Sequence, residues 1–183
     1  LLVMRSMLSQ DGIINVMLKN AGWIQKSLPF FSNVAWARIT VIVVNLWIGI
    51  PYTMMQVTGI LQNIPLELYE AAEVDGAGPV IRFFKITLPY MLFVTTPYLI
   101  TTFTANINNF NIVYLLTKGD PVLSGNTAGK TDLLVTWLYK MTVDYQYYNL
   151  GAVIGIMTFV FLAIGSLLVY RRTKSYKDEE GFQ

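Results

Sequence analysis

Uncharged hydrogen-bonding side chains set inside apolar runs are the residues of this 183-residue sequence that could handle a ligand. Asn45 stands in an otherwise apolar stretch, and Gly49 and Tyr52 follow at spacings that put all three on one face of a helix. Further on, Asn106 and Asn109 share a face by their spacing of three, with Asn108 and Asn111 turned away. Amides, a phenol and a bare glycine backbone supply donors, acceptors and an aromatic face without charge, which suits a neutral polyhydroxylated solute. Neither helix face carries a cation that would suit an anion. A buried amide needs a partner in any case, so bonding between helices accounts for the same residues and stays open as the alternative. Covalent chemistry is poorly served. The sequence has no cysteine and no histidine, which removes disulfides, thiolates, imidazole bases and the usual zinc sites. No catalytic residue, metal ligand or cofactor is expected.

A second group is charged and clustered, in the polar island running from Glu70-Ala71-Ala72-Glu73-Val74-Asp75-Gly76 through Ile86-Thr87-Leu88-Pro89. Pro65 suits the first turn of a helix, Leu66 to Val74 its body, and Gly76 and Gly78 the positive φ that ends it. A second short helix is predicted from Val80 to Thr87, stopped by Pro89. Glu67, Glu70, Glu73, Asp75, Arg82 and Lys85 should face water, leaving Leu68, Ala71, Ala72, Phe83 and Ile86 for packing. The unit is a small, rigid lever.

Long apolar helices must position both groups. Hydrophobic residues make up 54% of the chain, which places it in a bilayer as an all-α polytopic protein. Membrane crossings are predicted at about 34–59, 90–109 and 150–170, with Pro97 kinking the second. A loop at 60–88 carries the lever, a polar loop at 117–149 is helical over Asp132 to Met141, and a charged tail occupies 171–183. Ahead of them, Asp11-Gly12 marks a turn and Ile13 to Lys19 an amphipathic helix that Gly22 could cap. Trp23, Phe30, Phe31 and Trp36 suit an aromatic belt, and Arg38 can snorkel near the outer end of the first crossing. The opening Leu1-Leu2-Val3-Met4 lacks the basic start and small-residue cleavage site of a signal peptide, and reads as the end of a severed membrane helix. Lys and Arg totals barely distinguish the two sides, six against seven. The cluster Arg171, Arg172, Lys174 and Lys177 is what puts the tail, and with it the lever, in the cytoplasm. A net charge of +2 with scattered basic residues gives no reason to expect nucleic acid as a partner.

The spacing Glu-Ala-Ala, three residues, Gly, nine residues, Ile, one residue, Leu-Pro is met in full by Glu70, Ala71, Ala72, Gly76, Ile86, Leu88 and Pro89. It resembles the signature of the membrane subunits of ATP-binding-cassette (ABC) importers. Val44-Asn45-Leu46-Trp47-Ile48-Gly49-Ile50-Pro51-Tyr52 and the stretch Phe103 to Phe110 are similar to the larger permease subunit of the maltose and maltodextrin type. The resemblance implies a transmembrane helical bundle of the methionine and maltose permease type, with a cytoplasmic coupling helix–turn–helix seated in a groove of the ATPase. The chain is then the C-terminal part of a single permease domain in the inner or plasma membrane of a prokaryote. Implied partners are a second permease subunit, two ATP-binding-cassette ATPase subunits, an extracytoplasmic sugar-binding protein and the bilayer. Asn45, Gly49, Tyr52, Asn106 and Asn109 would line the sugar site. The chain departs from that group at Ala105, where an aromatic side chain can stand, and at Lys130, where tyrosine is frequent.

Other readings keep the importer but change the cargo to another oligosaccharide or small solute, or make the chain a non-transporting scaffold or sensor. Gly125-Asn126-Thr127-Ala128-Gly129-Lys130-Thr131 imitates a phosphate-binding P-loop, but Ser124 stands where the first glycine belongs. Gly151 and Gly155 form a GxxxG pair, read as packing against a helix of the same subunit.

Overall fold

The computed structural model describes residues 1–171, and among them every regular element is helical. Helix α1 (Leu2–Met7) leads into α2 (Ile13–Asn20), which ends at Gly22, whose φ is +74°. The side chain of Asn15 is fully buried, donating to the carbonyls of Ser9 and Leu28 and accepting from the Leu28 amide at 2.8 Å. The first long helix, α3 (Val34–Leu61), starts where the Asn33 side chain accepts from the Ala35 and Trp36 amides. Its 28 residues exceed the ~20 needed to cross a bilayer core.

The lever comprises α4 (Leu66–Val74), a turn at Gly76 with φ +75°, α5 (Pro79–Arg82) and a π-helical turn over Phe83–Thr87. Two details differ from the sequence reading. Gly78 has φ −66°, so it caps α5 in extended conformation and only Gly76 uses the left-handed region. Pro89 also stops nothing: α6 (Leu88–Ile107) follows the π-turn directly. A π-turn shifts hydrogen bonds from i→i−4 to i→i−5, so the carbonyl that a proline ring would strike in a regular helix is displaced.

After α6 come α7 (Phe110–Leu116), the polar loop of residues 117–149, called the outer loop after the side on which it is expected, with α8 (Leu134–Tyr139) and a second π-turn (Lys140–Asp144), and α9 (Tyr148–Arg171). Among the described residues three helical stretches are long and apolar enough to cross a membrane: Val34–Leu61, Pro79–Leu116 and Tyr148–Arg171. They contain the segments 34–59, 90–109 and 150–170 expected to cross, the second being much longer than its expected segment. Of the tail, Arg172, Lys174 and Lys177 lie outside the described residues.

The chain forms two compact units. One contains Leu1–Trp47 and Ala105–Phe161. Its core gathers Leu8, Val44, Ile112, Val113 and Leu116, with Phe30, Phe31 and Val41 packed against them. The GxxxG pair belongs here. A Cβ on Gly151 would strike the Thr142 side chain, and one on Gly155 would lie 3.3 Å from Leu138, so this small-residue face packs on the chain's own outer loop. The other unit contains Ile48–Thr104 and the described residues from Leu162 on. Within it Thr53 and Tyr98 share a hydrogen bond of 3.3 Å, and Thr104 and Ser166 one of 3.0 Å.

Candidate functional site

Three of the five residues expected around a solute come together. Asn45 Nδ2 donates to Asn106 Oδ1 at 2.8 Å, and Asn109 Nδ2 donates to Asn45 Oδ1 at 3.2 Å. The two later asparagines meet Asn45 by different means. Asn106 projects from the last turns of α6, whereas Asn109 stands in the break before α7 and caps it, its Oδ1 accepting from the Ile112 amide at 3.3 Å. An asparagine ahead of Phe110-Asn111-Ile112-Val113 is the sequence signal for that cap, and shared helical phase was the wrong reason to pair it with Asn106.

The asparagines line an open pocket of about 310 Å³, together with Val41, Ile42, Ile112 and Val113. Gly49 and Tyr52 do not line it. They belong to the second unit, Tyr52 exposed and Gly49 with open space beside its Cα.

The pocket is also lined by the charged residues Arg38, Lys130 and Asp132, contrary to the expectation of an uncharged lining. Arg38 precedes Asn45 by seven residues, two turns of α3, so both share a face and line the same pocket. Arg38 Nε donates to the Lys130 carbonyl at 3.2 Å across 92 residues of sequence. Lys130 is held by a strap, residues 117–133, folded back on itself. Its amide donates to the Pro121 carbonyl at 2.9 Å. Next to it, Thr131 Oγ1 donates to the Asp120 carbonyl at 2.7 Å and shares a 2.9 Å bond with Thr117.

Asp132, with 3% of its side chain exposed, accepts from Lys140 Nζ at 2.7 Å, the Gly129 amide at 2.6 Å and Thr136 Oγ1 at 2.9 Å. In the apparent P-loop the amides of Asn126, Gly129, Lys130 and Thr131 are thus bonded within the strap, and no strand precedes it among the described residues. Phe110 stacks on Tyr114, and Tyr139 meets both rings at a steep angle, with centroids 4.8–5.0 Å apart; the hydrogen bond to Tyr114 raises the Tyr139 pKa above its ordinary value.

The lever is laid out differently. Glu70, Ala71, Gly76 and Pro89 are exposed, and Ala72, Ile86 and Leu88 are partly buried. Leu68 and Phe83, expected to pack, are both about half exposed. Two side-chain bonds brace it: Tyr69 to Thr87 at 2.8 Å and Arg82 Nη1 to Glu73 Oε2 at 3.0 Å.

Residues 3–175 match the family described as binding-protein-dependent transport system inner membrane component. The chain is 44% identical over 152 residues to the galactooligosaccharides transport system permease protein GanP of Bacillus subtilis, covering 83% of this chain and 36% of the relative. It is 43% identical over 147 residues to the maltodextrin transport system permease protein MdxF of the same organism, covering 79% of this chain and 34% of the relative. It therefore spans about a third of the length of these relatives. A crystal structure of a bacterial ABC transporter involved in the import of the acidic polysaccharide alginate shares the fold, with a TM-score of 0.74 at 24% identity over 95% of this chain and 62% of that one. Family and helix lengths together give a multi-pass membrane protein.

Proposed function

We propose, from the premise that this chain belongs to the family of binding-protein-dependent transport system inner membrane components, that it is the C-terminal permease portion of an ATP-driven importer of neutral oligosaccharides, maltodextrin in type. The observation that carries the cargo reading is the convergence of Asn45, Asn106 and Asn109 on one open pocket. Its volume of about 310 Å³ lies at the lower end of the roughly 300–1,000 Å³ of small-molecule sites. Hydrogen bonds between polar side chains of membrane helices are each worth only about 0.6–2 kcal/mol. Sugar hydroxyls, which donate and accept, can therefore replace them at little cost.

In this reading Glu70, Ala71, Ala72, Gly76, Ile86, Leu88 and Pro89 form the contact with a cytoplasmic ATPase. Closure of two ATPase subunits moves the lever, and rocking of the attached helices against a second permease subunit switches the side to which the pocket opens. An extracytoplasmic binding protein delivers the sugar. The chain itself makes and breaks no covalent bond. Gly49 and Tyr52 stay in the proposal as pathway residues further along α3.

Uptake of labelled maltotriose by the reconstituted complex, wild type against Asn109→Ala, tests the cargo site: the variant should lose most of its uptake. Normal transport by Gly76→Pro would refute the coupling role, because proline cannot adopt the left-handed conformation found there. A second reading, a galactooligosaccharide as cargo, is favoured by the likeness to GanP. Competition of galactotriose against labelled maltotriose separates the two.

A further inference from the structure

We propose that the strap forms the outer wall of the solute site and that Lys130 is a cargo-contacting, specificity-determining residue, with Arg38 as the residue that positions it. The inference rests on the reading of the asparagine pocket as the solute site.

From sequence Arg38 and Lys130 have no common role, one reading as a residue able to snorkel near the end of the first crossing and the other as a loop residue where tyrosine is frequent. The fold puts both in the lining of the pocket that holds Asn45, and joins them through Arg38 Nε and the Lys130 carbonyl at 3.2 Å. That bond uses the backbone of Lys130 and leaves its side chain uncommitted. Among the described residues its ammonium has no hydrogen bond or ion pair. Asp132, the acid that lines the same pocket, is occupied by Lys140, the Gly129 amide and Thr136. Lys130 thus keeps three donors beside the pocket.

Those donors complement what the asparagines lack. Within the triad, Asn45 Nδ2 spends one of its two N–H groups on Asn106 and Asn109 Nδ2 one of its two on Asn45, so the donors the amides offer a solute are neutral ones and none is charged. Hydroxyl and ring oxygens of a sugar are acceptors, and a bond to an ammonium is roughly twice as strong as one between neutral groups.

The strap that carries Lys130 is stiff. A Cβ on Gly129 would strike the Gly119 carbonyl oxygen, the Lys130 amide is tied to Pro121, and Thr131 is tied to Asp120 and Thr117. A flexible donor on a fixed base can select which oxygen of a terminal sugar ring is engaged, and so help decide which oligosaccharide is accepted.

The test is uptake of labelled maltotriose and galactotriose by the complete reconstituted complex, comparing wild type with Lys130→Ala, Lys130→Arg and Asn109→Ala. Lys130→Ala keeps the carbonyl that Arg38 binds, so the strap should remain in place. Its KM for the transported sugar should rise about tenfold, the loss of one charge-assisted hydrogen bond, with maximal rate unchanged. Lys130→Arg should restore most of that affinity while changing the preference between the two sugars. An unchanged KM in Lys130→Ala, with uptake lost in Asn109→Ala, overturns the inference and leaves the asparagine site standing. A lowered maximal rate at unchanged KM also overturns it, since that marks a structural strap. Full uptake by Asn109→Ala, or no uptake of either sugar by wild type, removes the cargo reading and this inference with it.

Discussion

Thr117, Thr131 and Thr136 are buried within the outer loop and bonded to carbonyls, hydroxyls and a carboxylate of that same loop. Between Leu66 and Thr87, by contrast, no residue is buried, and two side-chain bonds hold one arm of the lever to the other. Both regions are polar excursions between apolar helices. The outer loop buries its own Met141 fully and packs on the fully buried Val113 and Leu116, while Val122, Leu123, Leu134 and Val143 stay about half exposed. The lever leaves Leu66, Val80 and Phe84 well exposed and Val74 89% exposed. An exposed apolar surface on a short braced element is what a segment needs if another protein is to complete it. The difference accords with the proposed roles, a solute-facing wall finished within this chain and a docking element finished by an ATPase.

The largest expected effect tests self-sufficiency. Lys140→Met leaves Asp132 buried without its cation, at a cost of about 3–5 kcal/mol, read as a lower thermal midpoint of the purified full-length permease. The matching change in the lever, Arg82→Met, should cost no more than about 1 kcal/mol, because an exposed ion pair contributes little and 70% of the Glu73 side chain is exposed. Equal losses would break the comparison. Glycines give the next contrast. Gly129→Ala forces a Cβ into the Gly119 carbonyl, overpacking worth about 1–3 kcal/mol. Gly76→Ala meets open space but must hold φ +75°, at roughly 1–2 kcal/mol. Asparagine separates the causes: it tolerates the left-handed region, so Gly76→Asn should recover most of the stability, whereas Gly129→Asn should be worse than the alanine variant.

The same contrast explains what could be read from sequence. Helix α4 was legible to its ends, because Pro65, a body of helix-forming Leu, Glu and Ala, and Gly76 are local signals, and the three membrane-length helices followed from apolar length. Asn45, Asn106 and Asn109 were legible as polar residues needing partners, yet their mutual bonds depend on a break at Asn109 that a helical-phase argument hides. Arg38 with Lys130, and Asp132 with Lys140, were not legible as pairs. The first joins residues far apart in sequence, and the second depends on a strap whose turns only the folded loop defines. Pro89 was misread because proline breaks a regular helix, and nothing local announces the π-turn that accommodates it.

A change in stability as small as that of Arg82→Met should carry the most specific information about the lever. Tyr69→Phe removes one hydroxyl from the 2.8 Å contact with Thr87, costing about 1 kcal/mol, and the thermal midpoint should hardly move. If the lever transmits force as a rigid body, that bond and the Glu73–Arg82 pair are the cross-links that stop α4 from swinging on the Gly76 turn. The reconstituted complex should then import fewer sugars per ATP hydrolysed, while ATPase activity persists. Thr87→Ala should match the tyrosine variant, and the double variant should be no worse than either, since both remove one interaction. Thr87→Ser, which keeps the hydroxyl, should couple normally. Additive losses in the double variant would mean that the two side chains act separately. An unchanged sugar-to-ATP ratio in all of them would mean that the lever is stiff without this brace, leaving Gly76 and the backbone of α4 as the elements that carry the load.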